Sequence, residues 1–226
     1  MSGNRAIVLL SGGLDSVVSL ALADKELEVR LVLFLNYGQR ALVNERISVV
    51  SVVSYYGLPL QEVDITWMRA LCPEAMRNHR AGGPEETGHD SLDSLEDVWI
   101  PNRNGVFLNV AAAYAERYDC DTVIAGFNRE EAEEFPDNTP EYVSAVNQAF
   151  RYSTRKGIEV KSYIQDLTKR EILRKGIEVS APLSTIWSCY RGESKMCGTC
   201  AACRRLRAAI DSLPSDFRPV IEFAGP

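Results

Sequence analysis

The stretch Leu10-Ser11-Gly12-Gly13-Leu14-Asp15-Ser16 decides the fold. The apolar run Ala6-Ile7-Val8-Leu9-Leu10 enters it, and an apolar-periodic segment from Val17 to Leu27 leaves it. This order predicts a buried strand, a tight glycine turn and the N-terminus of a helix. Gly12 and Gly13 carry no Cβ, so the backbone there can take positive φ and approach a ligand closely. The first N–H groups of a helix have no intrahelical partner, and the helix dipole adds partial positive charge at that end. Ser11 and Ser16 add hydroxyl donors, and such a site suits a phosphate or pyrophosphate. A plain turn with Asp15 or Ser16 as helix N-cap accounts for the same residues. Alone, the loop specifies an anion site and nothing finer.

The full string Ser-Gly-Gly-Leu-Asp-Ser, directly behind a buried strand, resembles the pyrophosphate-loop (PP-loop) signature of the ATP-pyrophosphatases. The resemblance implies an enzyme that adenylates a substrate carbonyl and releases pyrophosphate. The chain has neither Gly-x-x-x-x-Gly-Lys-Ser/Thr nor Gly-x-Gly-x-x-Gly, the other common phosphate-binding patterns.

Outward from the loop the pattern repeats. Glu28 to Leu35 reads as a second buried strand, running into the polar turn Asn36-Tyr37-Gly38-Gln39-Arg40. A helix is expected from Ala41 to Tyr56, stopped by Gly57, and a third strand from Leu60 to Ile65. Alternating strands and helices predict an open, mainly parallel α/β sheet with helices on both faces. Ligands of such sheets gather at the carboxyl ends of the strands, where both polar turns would lie. Residues 66–98 lack periodicity and are expected to form a lid or a disordered insertion. Both histidines, His79 and His89, fall there and are read as solvated.

Order resumes at Ile100-Pro101-Asn102-Arg103-Asn104, with Asn102 and Asn104 as cap candidates for a helix from Val106 to Arg117 that is apolar almost all round. Arg103 is expected to face a ligand. Thr122–Ala125 reads as a fourth strand, followed by the turn Gly126-Phe127-Asn128 on the site edge. The acidic run from Arg129 to Glu134 is expected to be a solvated face. Phe135-Pro136-Asp137-Asn138 reads as a rigid turn into a helix over Glu141–Tyr152, with a carboxylate able to grip a guanidine-like edge. A fifth strand is expected over Ile158–Ile164 and a short helix over Thr168–Lys175. Lys169, a cation in a first helical turn, runs against the dipole and is therefore read as a phosphate ligand.

The C-terminal stretch carries Cys189-x7-Cys197-x2-Cys200-x2-Cys203. Four thiolates at this spacing predict a closed tetrahedral zinc site, structural because no coordination position is left open. An iron–sulfur cluster is the alternative, since spacing does not choose the metal. Cys72 and Cys120 are read as a loop thiol and a small, partly buried residue.

Of the 226 residues 46% are hydrophobic and 25% charged, and the formal charge is −6, which argues against nucleic acid as a partner. No secretory leader or membrane span is expected, which leaves the cytoplasm, where six cysteines favour metal ligation over disulfides. The expected division is an ATP-binding α/β domain over residues 1–186 and a zinc-binding module over residues 187–226.

The PP-loop combined with the four-cysteine knot, Asn36–Arg40, Ile100–Asn104, Pro182-Leu183 and Trp187-Ser188-Cys189-Tyr190 resembles the 7-cyano-7-deazaguanine (preQ0) synthase family over nearly the whole chain. The resemblance implies an adenine nucleotide alpha hydrolase-like fold, a homodimer, and ATP-dependent conversion of 7-carboxy-7-deazaguanine and ammonia to the nitrile in queuosine or archaeosine biosynthesis. On that basis Leu10, Ser11, Gly12, Gly13, Leu14, Asp15, Ser16 and Asn36 would hold ATP, with Asp15 organising Mg²⁺. Arg103 and Lys169 would steady the leaving pyrophosphate. Tyr37, Gln39, Arg40, Asn128, Phe135 and Asp137 would contact the deazaguanine. Many family members carry Gly-Tyr-Pro-Asp-Cys-Arg where this chain has Glu134-Phe135-Pro136-Asp137-Asn138-Thr139, so any role of that Cys-Arg pair is not carried over. The competing classes are another PP-loop amide synthetase or tRNA-modifying enzyme, a relative that conjugates deazaguanine in a defence system, and a zinc-dependent binding module that has lost catalysis.

Overall fold

The computed structural model describes residues 4–73, 76 and 98–224. Five strands, β1 (Arg5–Leu9), β2 (Glu28–Asn36), β3 (Leu60–Asp64), β4 (Thr122–Ile124) and β5 (Glu159–Lys161), form one sheet in the order β3-β2-β1-β4-β5. Every pairing is parallel, with Leu9 beside Leu33, Val8 beside Ile124 and Val123 beside Val160. From β1 the chain winds outward to β3, then returns past β1 to lay down β4 and β5. The strand order therefore reverses between β1 and β4, the place where ligands of open α/β sheets sit. The PP-loop follows β1, and Gly126–Asn128 follows β4, so both flank that crevice.

Among the described residues seven α-helices cover the sheet: α1 (Leu14–Glu26), α2 (Leu42–Tyr56), α3 (Arg103–Arg117), α4 (Arg129–Glu134), α5 (Pro140–Ser153), α6 (Lys169–Glu178) and α7 (Ala201–Asp211). Side-chain alternation along the strands builds two cores. Ala6, Val8, Val32 and Phe34 face one side, with Val17 and Leu20 of α1, Val49 of α2, Ile172 of α6 and Leu206 of α7. Ile7, Leu31, Leu33, Val123 and Val160 face the other, with Leu108 and Ala111 of α3 and Phe150 of α5. All four knot cysteines belong to the first core, so residues 187–213 share apolar packing with the main body. Gly57, with φ of 66°, ends α2 as its sequence predicts.

Several local expectations are corrected. Asn102 takes the left-handed conformation (φ 54°) and α3 starts at once, so Asn104 lies inside its first turn and is no cap. The same helix is buried on one side only, through Gly105, Leu108, Ala111, Ala112 and Ala115, while Asn109 and Ala113 are exposed. Apolar residue type overstated burial there, because Phe107 and Val110 are only partly buried against the first core and Tyr114 only partly buried against the second. The fifth strand is shorter than expected, Glu159–Lys161, and beyond it the Ser162 hydroxyl donates to the Phe127 carbonyl (2.7 Å). The acidic run 129–134 is a helix capped by Asn128, and it reaches the site. Cys72 packs into the first core rather than standing as a loop thiol, and Cys120, expected to be partly buried, is buried in the second.

Thr66–Leu71 form a 3-10 helix whose Met68 is buried, together with Cys72 and Met76, in the first core. The remainder of the expected lid, with His79 and His89, lies outside the described residues. Among the described residues no helix is long and apolar enough to cross a membrane.

Candidate active site

The PP-loop is held in place from two sides. Gly12 has φ of 82°, and its carbonyl accepts from the Ser48 hydroxyl of α2 (2.9 Å) and from the Trp187 N–H (2.8 Å). The Ser16 hydroxyl donates to the Gly13 carbonyl (3.1 Å) and accepts from the Ser11 N–H (3.2 Å). The α1 ladder begins with Val17 N–H to Gly13 O (3.0 Å), so the N–H groups of Leu14, Asp15 and Ser16 precede it. Gly126 brings the β4 turn against the loop: a Cβ there would lie 3.0 Å from the Ser16 nitrogen. A Cβ on Gly12 would lie 2.6 Å from the Ser48 hydroxyl oxygen, in a backbone conformation that L-residues avoid. Gly12→Ala is expected to destabilise the fold by about 1–3 kcal/mol, read as a lower urea midpoint.

Behind the loop lies a buried charge triad. Lys169, at the start of α6, directs its ammonium to the Asp15 carboxylate and to the Glu131 carboxylate (2.7 Å). The side chains of Lys169, Asp15 and Glu131 are 12%, 18% and 29% exposed, so solvent screens the triad weakly. Burial pushes Asp15 up to about 6, opposed by Lys169 and reinforced by Glu131. For Glu131 burial acts in the same direction, but the charge and hydrogen bond of Lys169 outweigh it and hold the carboxyl below its ordinary range. Lys169 stays protonated despite burial because two carboxylates face it. One Asp15 oxygen, Oδ1, is buried without a protein partner.

Two cavities meet at this triad. A 240 Å³ cavity at the strand ends is lined by Leu10, Ser11, Asp15, Ser16, Tyr37, Gln39, Arg103, Phe107 and Gly126, among others. A 130 Å³ cavity continues past Gly13, Leu14 and Lys169 to Trp187, Ser188 and Arg205. Ser11, Asp15, Glu45, Glu131 and Tyr190 line both. The Arg103 guanidinium lies 6.0 Å from the centre of the Tyr37 ring. Burial opposes its charge, yet Tyr37, Tyr190, Asp137 and Glu131 together favour it.

Other expected contacts are engaged elsewhere. Asn36 accepts from the Gly38 N–H (3.2 Å) and donates to Glu62 (3.3 Å), fixing the turn rather than lining a cavity. Arg40 also stands outside both linings, and its backbone N–H donates to the Met76 carbonyl (3.0 Å). Asn128 accepts from the Glu131 N–H (3.0 Å), so it sets α4 and aims Glu131. Phe135 stacks on Trp99, with centroids 6.0 Å apart. Asp137 accepts from Asn138 (3.2 Å), and it is Asn138 that reaches the larger cavity. Glu45, Glu131 and Arg205 carry no role in the sequence reading, and Ser188 and Tyr190 enter it only as part of the Trp187–Tyr190 motif. Glu131 had one usable signal, its place three residues after Asn128 in an N-cap pattern.

Glu45 is pushed by burial to about 7, opposed by the hydrogen bond from Gln39 and the charge of Arg103. Its folded value exceeds the ordinary 4.5, so the native state holds the extra proton between about 4.5 and about 7 and loses stability as pH rises through that window. Glu45→Gln is expected to flatten this slope and raise the thermal midpoint at alkaline pH, measured by melts across the window.

The four sulfur atoms of Cys189, Cys197, Cys200 and Cys203 lie within 4.8 Å of one another, all buried. Backbone N–H groups of Arg191 and Cys197 point at the Cys189 sulfur (3.4 Å each), and those of Thr199 and Cys200 at the Cys197 sulfur (3.4 and 3.3 Å). Cys200 occupies the N-cap position of α7. Amide donors and a helix N-terminus favour thiolates, and four thiolates this close require a cation, so the donor set fits a metal ion.

Comparison with known proteins agrees with this geometry. The family model described as "Queuosine biosynthesis protein QueC" matches residues 5–213. The 7-cyano-7-deazaguanine synthase of Desulforudis audaxviator is 46% identical over 91% of this chain and 96% of its own length. That of Desulforamulus reducens is 43% identical over 92% and 94%. The archaeal enzyme of Methanosarcina barkeri is 38% identical over 98% and 99%. A PP-loop at the switch point of a parallel sheet, a buried triad beneath it and a C-terminal cysteine knot thus occur in a chain that belongs to the queuosine biosynthesis QueC family.

Proposed function

We propose that this chain converts 7-carboxy-7-deazaguanine and ammonia to 7-cyano-7-deazaguanine with two molecules of ATP. The observation that carries the reading is the pair of joined cavities, which place the PP-loop amides, the Asp15–Lys169–Glu131 triad and Arg103 around one space. The α1 N-terminus and the loop hydroxyls receive the ATP phosphates. The unpartnered Asp15 Oδ1 and its neighbour Glu131 fit Mg²⁺, which when bound would neutralise phosphate charge. Arg103 and Lys169 stabilise charge developing on the departing pyrophosphate. Adenylation makes the acid an activated acyl group. Ammonia then displaces AMP to give the amide, and a second adenylation on the amide oxygen lets AMP leave with formation of the nitrile. Each step transfers a group already activated by ATP, so positioning and charge stabilisation suffice.

Tyr37 and Phe107, which pack at 5.5 Å between ring centroids, offer an apolar wall to a flat heterocycle. Gln39 and Asn138 supply amides at the same cavity. Asp137, one residue from Asn138, is assigned the 2-amino edge of the base, while Phe135 and Asn128 support the turn and helix around it. Asn36 and Arg40 act through the turn that carries Tyr37. The knot is assigned structural zinc, the chain is read as a cytoplasmic homodimer of an ATP-binding domain and a zinc module, and no nucleic acid is required. The test is acid-dependent AMP release: the protein with ATP, Mg²⁺ and 7-carboxy-7-deazaguanine should form AMP and pyrophosphate. AMP formation indifferent to the acid would remove this substrate.

A further inference from the structure

We propose that Glu45 is a catalytic residue that accepts the proton from ammonium and so delivers free ammonia to the acyl adenylate; the inference rests on the function proposed above and concerns its nitrogen-transfer step. The two cavities share three carboxylates, Asp15, Glu45 and Glu131. Asp15 and Glu131 are both bound to Lys169, so each already commits an oxygen to a buried cation. The described partner of Glu45 is neutral. Its Oε2 accepts from the Gln39 amide at 2.8 Å. Gln39 is itself fixed, donating to the Leu35 carbonyl (3.2 Å) and accepting from the Tyr37 N–H (3.0 Å). A fully buried amide thus aims one carboxylate into the shared space, at the boundary between the PP-loop side and the Tyr37–Arg103 side.

Ammonium has no lone pair and cannot attack a carbonyl. Transfer of one proton to the Glu45 carboxylate leaves neutral ammonia and a neutral carboxylic acid. The ammonia lone pair forms the C–N bond, the C–O bond to AMP breaks, and AMP departs with that electron pair. The extra proton on nitrogen then passes to solvent water, as does the proton held by Glu45, which resets the carboxylate. A proton acceptor performs best with a pKa near the working pH. The groups facing Glu45 set that value: burial raises it, the Gln39 hydrogen bond and the Arg103 charge restrain it, and of the other charged groups at the same space Asp15 and Glu131 are engaged with Lys169. The anionic carboxylate would also draw ammonium in preference to neutral water.

The test compares wild type with Glu45→Gln, which keeps the shape and can still accept from Gln39. With ammonium at neutral pH the variant should form amide about 100-fold to 10,000-fold more slowly, the range of general acid–base contributions. With hydroxylamine, which is largely unprotonated at the same pH, hydroxamate formation should stay within several-fold of wild type. The ammonium rate of the variant should recover as pH climbs towards the ammonium pKa, a profile that a merely structural residue would not give. Equal loss with both nucleophiles, or an undiminished ammonium rate, overturns the proposal. Glu45→Asp, which withdraws the carboxylate by one methylene, should show a smaller loss with ammonium and none with hydroxylamine, and it decides the matter should the Gln variant not fold. Wild type that makes neither amide nor hydroxamate refutes the parent reading instead.

Discussion

Lys169→Met is expected to slow acid-dependent AMP formation severely and to destabilise the fold. The substitution leaves Asp15 and Glu131 facing each other across a site from which water is largely excluded. Removing one partner of a buried ion pair commonly costs about 3–5 kcal/mol, because the remaining charge is left without compensation. On the chemical side, loss of one charge-stabilising group lowers turnover by about 100-fold to 1,000-fold. The two effects separate in the triple variant Lys169→Met, Asp15→Asn, Glu131→Gln, which removes every charge of the triad. Its urea midpoint should return towards wild type while AMP formation stays slow. A single variant with wild-type stability would mean that the triad carries no net charge stress, and a wild-type rate would remove Lys169 from the mechanism.

Removal of the metal is expected to have the other large effect. Structural zinc sites bind with apparent free energies of about 10–16 kcal/mol in zinc-finger peptides, and that free energy is coupled to folding. Here the knot shares a core with α1 and α6, and the segment leading into it holds the PP-loop through Trp187 N–H to Gly12 O (2.8 Å). Tyr190, one residue beyond the Cys189 ligand, forms a wall of both cavities. Chelation or Cys200→Ser should therefore lower the thermal midpoint and raise the KM for ATP together. Even a loss of ~3 kcal/mol would move the midpoint of a chain this size by roughly 6–12 °C. Elemental analysis should find about one zinc per chain. Iron in its place would change the metal assignment, and an unaltered KM for ATP in the metal-free protein would uncouple the knot from the loop.

Much of this architecture is legible in the sequence because its signals are local. Strand-length apolar runs bounded by glycine or polar turns mark β1, β2 and their loops, and the thiol spacing alone marks the knot. The switch point is less direct, since the return of β4 to the free side of β1 depends on long-range pairing. The site's acids were the hardest to read. Glu45 lies in the first turn of α2, where an acid is ordinary for a helix N-terminus, and Glu131 in a run of acids that resembles a solvated face. Their burial follows from how α2 and α4 approach the loop, which no local pattern encodes. Lys169 stands between the two cases: its position against the dipole flags it, but its immediate partners are two carboxylates supplied from 154 and 38 residues away. Asn36 and Phe135 show the converse, being polar or aromatic residues on the expected edge whose side chains stabilise a turn and a ring stack.

The central claim is that ATP activates a deazapurine carboxylate in this site so that ammonia nitrogen becomes the nitrile nitrogen. The most direct measurement is mass spectrometry of the product formed from the purified protein, ATP, Mg²⁺, isotopically labelled ammonium and 7-carboxy-7-deazaguanine. The expected product is the nitrile carrying one labelled nitrogen in place of both carboxyl oxygens, preceded by a labelled amide, with two AMP released per nitrile. Unchanged acid with no adenylate, amide or nitrile at any time would contradict the claim.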